Sequence, residues 1–425
     1  MRRLITAFLR ACLQIFYRRI ELMGLERVPD RGPVIFAVNH PNGLVDPLFV
    51  LCFAARRVSF LGKAPLLEMP VVGWIVRLFD TIPVYRKIDG TSGSNQQTFR
   101  RAHEILMKGG GIAIFPEGTT HDDPSLRALK SGAARIALGA SLEGIVIIPT
   151  GIYYTAKHVF RSAALVVFGN PLHVSPVPVD GDGEPPRAAV ESLTAAIDEG
   201  LDAVTLQADS HSALELIARA EDAYTGDGQQ PLVEELDLRR QFIAGYHYLR
   251  EHDPERLARL ESMVRQFEAE LQRAGLEVHE LTPRVNTLRL LQLVILLPIA
   301  LAGVALNYPT YRFVGWLAGR LAKGESAVLA TIKVLAALTL FPLTWAVIAL
   351  GAGWWFGLPY GVAAITGMPL LGYSALRLVE ETDDLIGQLR AVAHGIFRRY
   401  GHASLLAQHE AIRAELLRVA REMRR

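Results

Sequence analysis

Asn39 and His40 are followed, after Pro41, Asn42, Gly43, Leu44 and Val45, by Asp46 and Pro47. A histidine and a carboxylate at this spacing can work together. An ionised aspartate within reach of the ring fixes its tautomer and stabilises the imidazolium formed when the histidine accepts a proton. Asp-Pro also reads as the start of a helix, with aspartate as N-cap and proline at the first helical position. The two readings are compatible, because a helix N-terminus favours an ionised carboxylate. A second stretch, FPEGTTHDD, brings Glu117, Gly118 and the hydroxyls of Thr119 and Thr120 to the end of an apolar run, although a turn of this composition is ordinary by itself. A third, TIPVYRK, leaves Arg86 just beyond another apolar run. A guanidinium there can hold a phosphate through paired donors, or can be a plain solvated side chain.

These stretches need a scaffold, and its elements are legible. VIFAV (34–38), RVSFL (57–61), TIPVY (81–85), GIAIF (111–115), GIVIIP (144–149) and ALVVFG (164–169) read as strands, mostly continuous in apolar residues rather than alternating. Such runs suit strands buried on both faces, hence an α/β layered domain with a mostly parallel or mixed sheet flanked by helices. DPLFVLCFAAR, VVGWIVRLF, NQQTFRRAHEILMK and LKSGAARIALGAS carry helical spacing between them. Glu117 and its neighbours then lie at the carboxyl end of a strand, where ligands of α/β sheets bind.

The rest of the chain divides by composition. Residues 1–28 read as a basic amphipathic helix, with Leu4, Ile5, Phe8, Leu9, Cys12, Leu13 and Phe16 against Arg2, Arg3, Arg10, Arg18 and Arg19. It suits an anionic membrane surface; the alternative is a core helix with snorkelling arginines. Residues 29–175 hold the α/β core, and 176–285 a Pro/Gly/Asp-rich linker and a polar helical insert. Residues 286–376 form a membrane region: 43 consecutive residues from Val334 to Leu376 carry no charge, enough for spans at about 334–354 and 357–376 around GWWFGLPYG. LLQLVILLPIALAGVAL (290–306) is barely long enough to cross, and the basic residues Arg312, Arg320, Lys323 and Lys333 favour a hairpin or re-entrant dip over 289–323. Residues 377–425 read as an amphipathic helical tail near the membrane surface.

Composition narrows the partners. A net charge of +2 over 425 residues gives no global field for nucleic acid. The two cysteines, Cys12 and Cys52, lack the neighbours of a metal site or a disulfide framework. No G-x-S-x-G turn of a serine hydrolase occurs.

Taken in order, the chemical stretches resemble the glycerolipid acyltransferase family, the PlsC-like glycerol-3-phosphate and 1-acylglycerol-3-phosphate acyltransferases. Its four blocks correspond to Asn39, His40 and Asp46; to GWIVRLFDTIPVYR closing on Arg86; to FPEGT from Phe115 to Thr119; and to VIIPTGIYY around Pro149. The common pattern has four residues between histidine and aspartate. The five found here look like the fungal-type glycerol-3-phosphate acyltransferases, which also carry carboxy-terminal membrane segments. The resemblance implies that His40 is the general base, oriented by Asp46, for attack of a glycerol-phosphate hydroxyl on an acyl thioester. It implies that Arg86, Glu117, Gly118 and Thr119 bind the acceptor. Lys63 and Lys130, with Arg100 and Arg101, are basic candidates for donor or phosphate contacts. The donor would be acyl-CoA or acyl carrier protein, as substrate; no cofactor or metal is implied. The expected location is the inner face of the cytoplasmic membrane, in contact with lipids. A CoA-independent phospholipid transacylase and a non-catalytic lipid-binding scaffold are the alternatives.

Overall fold

The computed structural model describes residues 1–68, 70–85, 95–181, 183–225, 231–276, 278, 287–322, 326–397 and 399–423. The chain forms two compact units, Met1–Ser210 with Glu325–Thr331, and His211–Gly324 with Ile332–Arg425.

The first unit is an α/β layered domain. Its elements in order are α1 (Arg2–Phe16), β1 (Arg19–Met23), β2 (Val34–Val38), α2 (Val45–Phe53), β3 (Val58–Lys63), α3 (Pro70–Leu78), β4 (Ile82–Val84), α4 (Asn95–Met107), β5 (Gly111–Ile114), α5 (Gly132–Gly139), β6 (Ile145–Tyr154), β7 (Ala163–Phe168), β8 (Leu172–Val174) and α6 (Arg187–Asp202). The sheet order is β1-β7-β6-β2-β5-β3-β4, with β8 also on β6. All pairings are parallel except β6 with β7 and with β8, so the sheet is mixed, as its apolar runs predict. The central strand β2 is buried along its whole length between β5 and β6, which explains its unbroken VIFAV run.

Two strand boundaries differ from the sequence reading. β6 runs five residues past Pro149, because the proline falls between its pairing with β8 (145–147) and its pairing with β7 (150–154). A residue without an N–H is tolerated at such a gap. At the N-terminus, the helix expected over 1–28 stops at Phe16, and residues 19–23 pair with β7 as an edge strand. α1 buries Leu9, Leu13 and Phe16 in the domain, yet leaves Leu4, Phe8 and Ile15 exposed on another face.

The second unit is helical: α7 (His211–Thr225), α8 (Leu232–His252), α9 (Pro254–Ala274), α10 (Thr287–Leu321), α11 (Ser326–Phe356, from Ile332 onward), α12 (Leu358–Phe397) and α13 (Arg399–Glu422). Asp253 caps α9 through the Arg256 N–H at 2.9 Å, Pro254 follows at the first helical position, and Gly275 ends the helix with φ +67°. α13 is not a free surface tail: its Leu405, Ile412, Leu416 and Val419 share a buried core with α7, α8 and α9. Arg256 adds bonds of 2.6 and 2.7 Å to Glu415 and Glu422. The polar insert and the tail are therefore halves of one bundle.

The segment expected to dip and return over 289–323 falls, as far as Leu321, in α10, a single 35-residue helix that passes through Pro298 and Pro309. Neighbouring helices can satisfy the backbone groups that an internal proline frees. Gly303 lets α10 approach α12 so closely that a Cβ would meet the Leu371 carbonyl at 2.0 Å. Asn307 ties α10 to α11, accepting from Trp345 Nε1 at 2.9 Å. Small residues with a polar side chain between helices are the packing devices of apolar bundles. Leu329–Phe356 and Leu358–Glu380 are each long and apolar enough to cross a membrane. Both are mainly exposed, Leu350 at 74% and Trp354 at 86%, unlike helices buried in a soluble core.

Candidate active site

The parallel arrangement of β2, β3, β4 and β5, together with β6 alongside β2, sends five strand ends to one edge of the sheet. His40 follows β2, Glu117 follows β5, and Tyr154 ends β6. The loop between β2 and α2 is fixed first at Asn39, whose amide donates to the Ile152 carbonyl at 3.1 Å and accepts from its N–H at 2.7 Å. His40 comes next, its ring stacked on Phe115 with centroids 4.1 Å apart.

His40 Nδ1 lies 2.9 Å from Asp46 Oδ2. Asp46 is the second residue of α2 but does not cap it; its carboxylate turns back into the loop and accepts from the Asn42 N–H at 2.7 Å. Tyr154 donates to the other oxygen at 2.6 Å. The carboxylate is 0% exposed and walled by Tyr17, Phe49 and Tyr154, whose rings lie 5.3–5.7 Å apart. Burial pushes the Asp46 pKa up, while His40, Tyr154 and Asn42 oppose the shift by bonding the charged form. Burial, and after it the negative charge of Asp46, holds Tyr154 well above the usual phenol range, so it stays a donor. With Nδ1–H directed at Asp46, the His40 lone pair is on Nε2, which has no protein partner among the described residues. The ring remains 15% exposed.

The turn after β5 is built around Glu117. The resemblance assigns it to the acceptor, but the structure places it inside the protein, 3% exposed. Oε1 accepts from the His40 N–H at 2.9 Å, and Oε2 from the Arg127 N–H at 3.1 Å and from His121 Nε2. Each oxygen is engaged, and Glu117 ties the β2 loop to the β5 turn. Gly118 follows in the left-handed region, φ +73°, and a Cβ there would run into the Lys130 side chain. That lays the exposed Lys130 over the turn. Thr119 is part-buried and donates weakly to the Thr120 carbonyl at 3.4 Å. Lys63 is exposed at the end of β3. Arg86 lies outside the described residues.

Sequence spacing does not single out Asn42, Tyr154, Lys157 or His121, yet all four hold the site. Lys157 donates to the Pro41 carbonyl at 2.8 Å and pairs with Asp122. Burial pulls its ammonium down to about 8, against the attraction of Asp46. Tyr154 and His121 fall within stretches notable on other grounds, VIIPTGIYY and FPEGTTHDD. The available signal is that a buried tyrosine hydroxyl needs a partner.

A mixed sheet that delivers a histidine, held by a buried carboxylate, to its strand ends defines an α/β domain equipped for proton abstraction. The comparisons with known proteins make it specific: residues 19–153 match the Acyltransferase family model, and residues 217–424 match the Glycerol-3-phosphate acyltransferase 2 C-terminal domain. The chain carries a PlsC-like acyltransferase domain joined to a C-terminal domain of the glycerol-3-phosphate acyltransferase type. An uncharacterized acyltransferase of Schizosaccharomyces pombe is 25% identical, over 89% of this chain and 74% of its own length. Glycerol-3-phosphate O-acyltransferase 1 of Saccharomyces cerevisiae is 26% identical over 70% of this chain, which spans 52% of that relative. The chloroplastic 1-acyl-sn-glycerol-3-phosphate acyltransferase of Arabidopsis thaliana is 28% identical over 36% of this chain and 41% of its own length. The crystal structure of the 1-acyl-sn-glycerophosphate acyltransferase PlsC from Thermotoga maritima is 21% identical, covering 47% of this chain and 80% of that one, at a TM-score of 0.34.

Proposed function

We propose that this protein is a membrane-bound O-acyltransferase that moves a fatty acyl group from a thioester, acyl-CoA or acyl carrier protein, to a hydroxyl of glycerol 3-phosphate. The observation that carries the reading is the His40–Asp46 pair, at 2.9 Å with Asp46 fully buried and Nε2 left open. His40 Nε2 takes the proton of the acceptor hydroxyl as its oxygen attacks the thioester carbonyl. Asp46 stabilises the resulting imidazolium. The tetrahedral adduct then collapses, the carbon–sulfur bond breaks, and the departing thiolate takes the proton back from Nε2. The products are an ester and a free thiol, with no acyl-enzyme in between.

The exposed ammonium of Lys130 above Gly118 suits the acceptor phosphate, and Arg86 is the second cation proposed for it. Glu117 positions the two loops. The five-residue gap between His40 and Asp46 favours glycerol 3-phosphate over 1-acylglycerol 3-phosphate as acceptor.

Membrane attachment is part of the proposal. Leu4, Phe8 and Ile15 on α1 are 76%, 57% and 52% exposed and share a face, with Arg3 and Arg10 on the adjoining one. That suits an anionic lipid surface on the cytoplasmic side, where soluble thioesters are supplied. Because α13 shares a core with α7, α8 and α9, the segments before α10 and after α12 belong on one side of the bilayer. Crossings by α11 and α12 satisfy this.

The test is acyl transfer by the purified full chain in phospholipid nanodiscs, offering acyl-CoA or acyl carrier protein with glycerol 3-phosphate or lysophosphatidate, alongside His40→Ala. Turnover with glycerol 3-phosphate that the folded variant loses is expected. Turnover that survives in His40→Ala, or transfer only from phospholipid donors, would sink the reading.

A further inference from the structure

The helical bundle of the second unit holds a mainly apolar cavity lined by none of the residues proposed for acyl transfer. Its volume is about 260 Å³, between α7, α8, α9 and α13, with Ile217, Leu249, Val264 and Val419 on its walls. These four side chains are at most 4% exposed. A hydrocarbon-lined space of this kind rejects water: an apolar cavity of ~150 Å³ stays dry and takes up benzene. Ligand pockets begin at roughly 300 Å³, so the space suits part of a hydrocarbon chain rather than a bulky ring system.

The rim has a different character. The polar residues of the lining are Tyr224, Gln241, Tyr246 and Arg421. The Arg413 guanidinium stands over the Tyr224 ring at 5.4 Å, and that of Arg250 over Tyr246 at 5.8 Å. On α13, Glu415 and Glu422 pair with Arg256, and Glu415 also with Arg418. Neither Arg413 nor Arg421 is in an ion pair among the described residues. A largely apolar interior beside two guanidinium groups that are in no ion pair among the described residues is complementary to one class of molecule, a hydrocarbon chain ending in an anion.

We propose that this cavity binds the chain of a single-chain anionic amphiphile, with its head group at Arg413 and Arg421. A free long-chain fatty acid and a lysophosphatidate share that chemistry, one through a carboxylate and the other through a phosphate. Its lining residues all belong to the second unit, and the proposal stands whether or not the proposed reaction is correct.

The experiment uses the full chain in phosphatidylcholine nanodiscs, with two probes carrying a diazirine in the chain: a fatty acid and a lysophosphatidate. After irradiation, adducts are mapped by peptide mass spectrometry. The expected result is adducts on α8 and α13 residues that wall the cavity, from one or both probes; the probe that labels identifies the head group. Ala420→Phe, which fills the space, is expected to cut that labelling about tenfold, as is Arg421→Glu at the exposed rim. Melting curves establish that each variant is folded, and the exposed Arg421 position keeps the test usable if Ala420→Phe does not fold. Adducts confined to α11, α12 or the catalytic domain, or labelling unchanged in the folded variants, would overturn the proposal.

Discussion

His40 bonds Asp46 through Nδ1 at 2.9 Å and keeps Nε2 open, whereas His121 uses both ring nitrogens, Nε2 toward Glu117 and Nδ1 to accept from the Asp123 N–H at 3.1 Å. The two histidine–carboxylate pairs belong to the β2 loop and the β5 turn, and the turns are joined by the bond from the His40 N–H to Glu117. Ring exposure separates them as well, 15% for His40 and 7% for His121. A histidine beside a carboxylate is therefore not yet a base; it also needs a nitrogen that substrate can reach. The second pair holds the first in place.

The sharpest way to break this contrast is Asp46→Asn, which keeps the shape of the side chain and removes its charge. Turnover is expected to fall about 10³–10⁴-fold, the scale seen when a base loses its orienting carboxylate. Stability should move the other way. Burial raises the folded-state pKa of Asp46, so the native protein binds that proton more tightly than the unfolded chain. Its stabilising contribution is complete below the unfolded pKa and is lost as pH rises through the folded one. Wherever the buried group is ionised it costs stability, and at neutral pH the asparagine variant is expected to melt no lower than the wild type. Denaturation at pH 5 and pH 8 checks the sign: the wild type should gain relative to the variant at the lower pH. A variant that melts much lower at neutral pH would make Asp46 a structural residue.

A smaller effect comes from Tyr154→Phe. The phenol bonds Asp46 Oδ1 at 2.6 Å and lowers the aspartate's pKa against the pull of burial. Without it the carboxylate protonates more readily. The titratable groups facing Asp46 would then be His40, the Tyr17 phenol and Lys157, none of which replaces that donor. A bond to a charged group contributes about 1.5–3 kcal/mol, so turnover should drop roughly 10- to 100-fold. The acid limb of the rate profile should move to higher pH with little change in KM. An unmoved profile would show that Tyr154 only fills space.

Much of this site could be read from the sequence because its reactive parts are local. Six positions separate His40 from Asp46, and FPEGT sits at the end of a strand whose apolar run is plain. What surrounds them is not local. Tyr154 reaches Asp46 across 108 positions, and Glu117 reaches the His40 N–H across 77. Spacing therefore marks Glu117 as polar and near the site, but not which way its oxygens face. Asp46 misleads in a similar way. Asp-Pro at a helix start invites a capping role, yet the buried loop offers the carboxylate stronger partners than the helix does. The N-terminal strand is hidden because RIELM continues the basic amphipathic pattern of the helix before it and gains a partner only in β7. The tail, amphipathic like a membrane-surface helix, finds its apolar partner in α9. In each case the pattern gives an apolar face and the fold decides what covers it.

The smallest effect on chemistry is expected from His121→Ala. Removing the ring leaves Glu117 Oε2 with the Arg127 N–H among the described residues and takes the Nδ1 acceptor away from the Asp123 N–H. Losing a partner of a buried polar group costs about 1–3 kcal/mol, so the variant should melt lower, and His121→Gln, which keeps a donor, should recover part of the loss. Turnover should fall only about severalfold, since a loosened β5 turn lets the His40 backbone drift without touching Nε2. Parallel melting and rate measurements on both variants separate the two pairs. If His121→Ala instead matched Asp46→Asn in turnover while its melting temperature stayed unchanged, the contrast would collapse. Both histidines would then act in proton transfer, and the closed wiring of His121 would have to open when substrate binds.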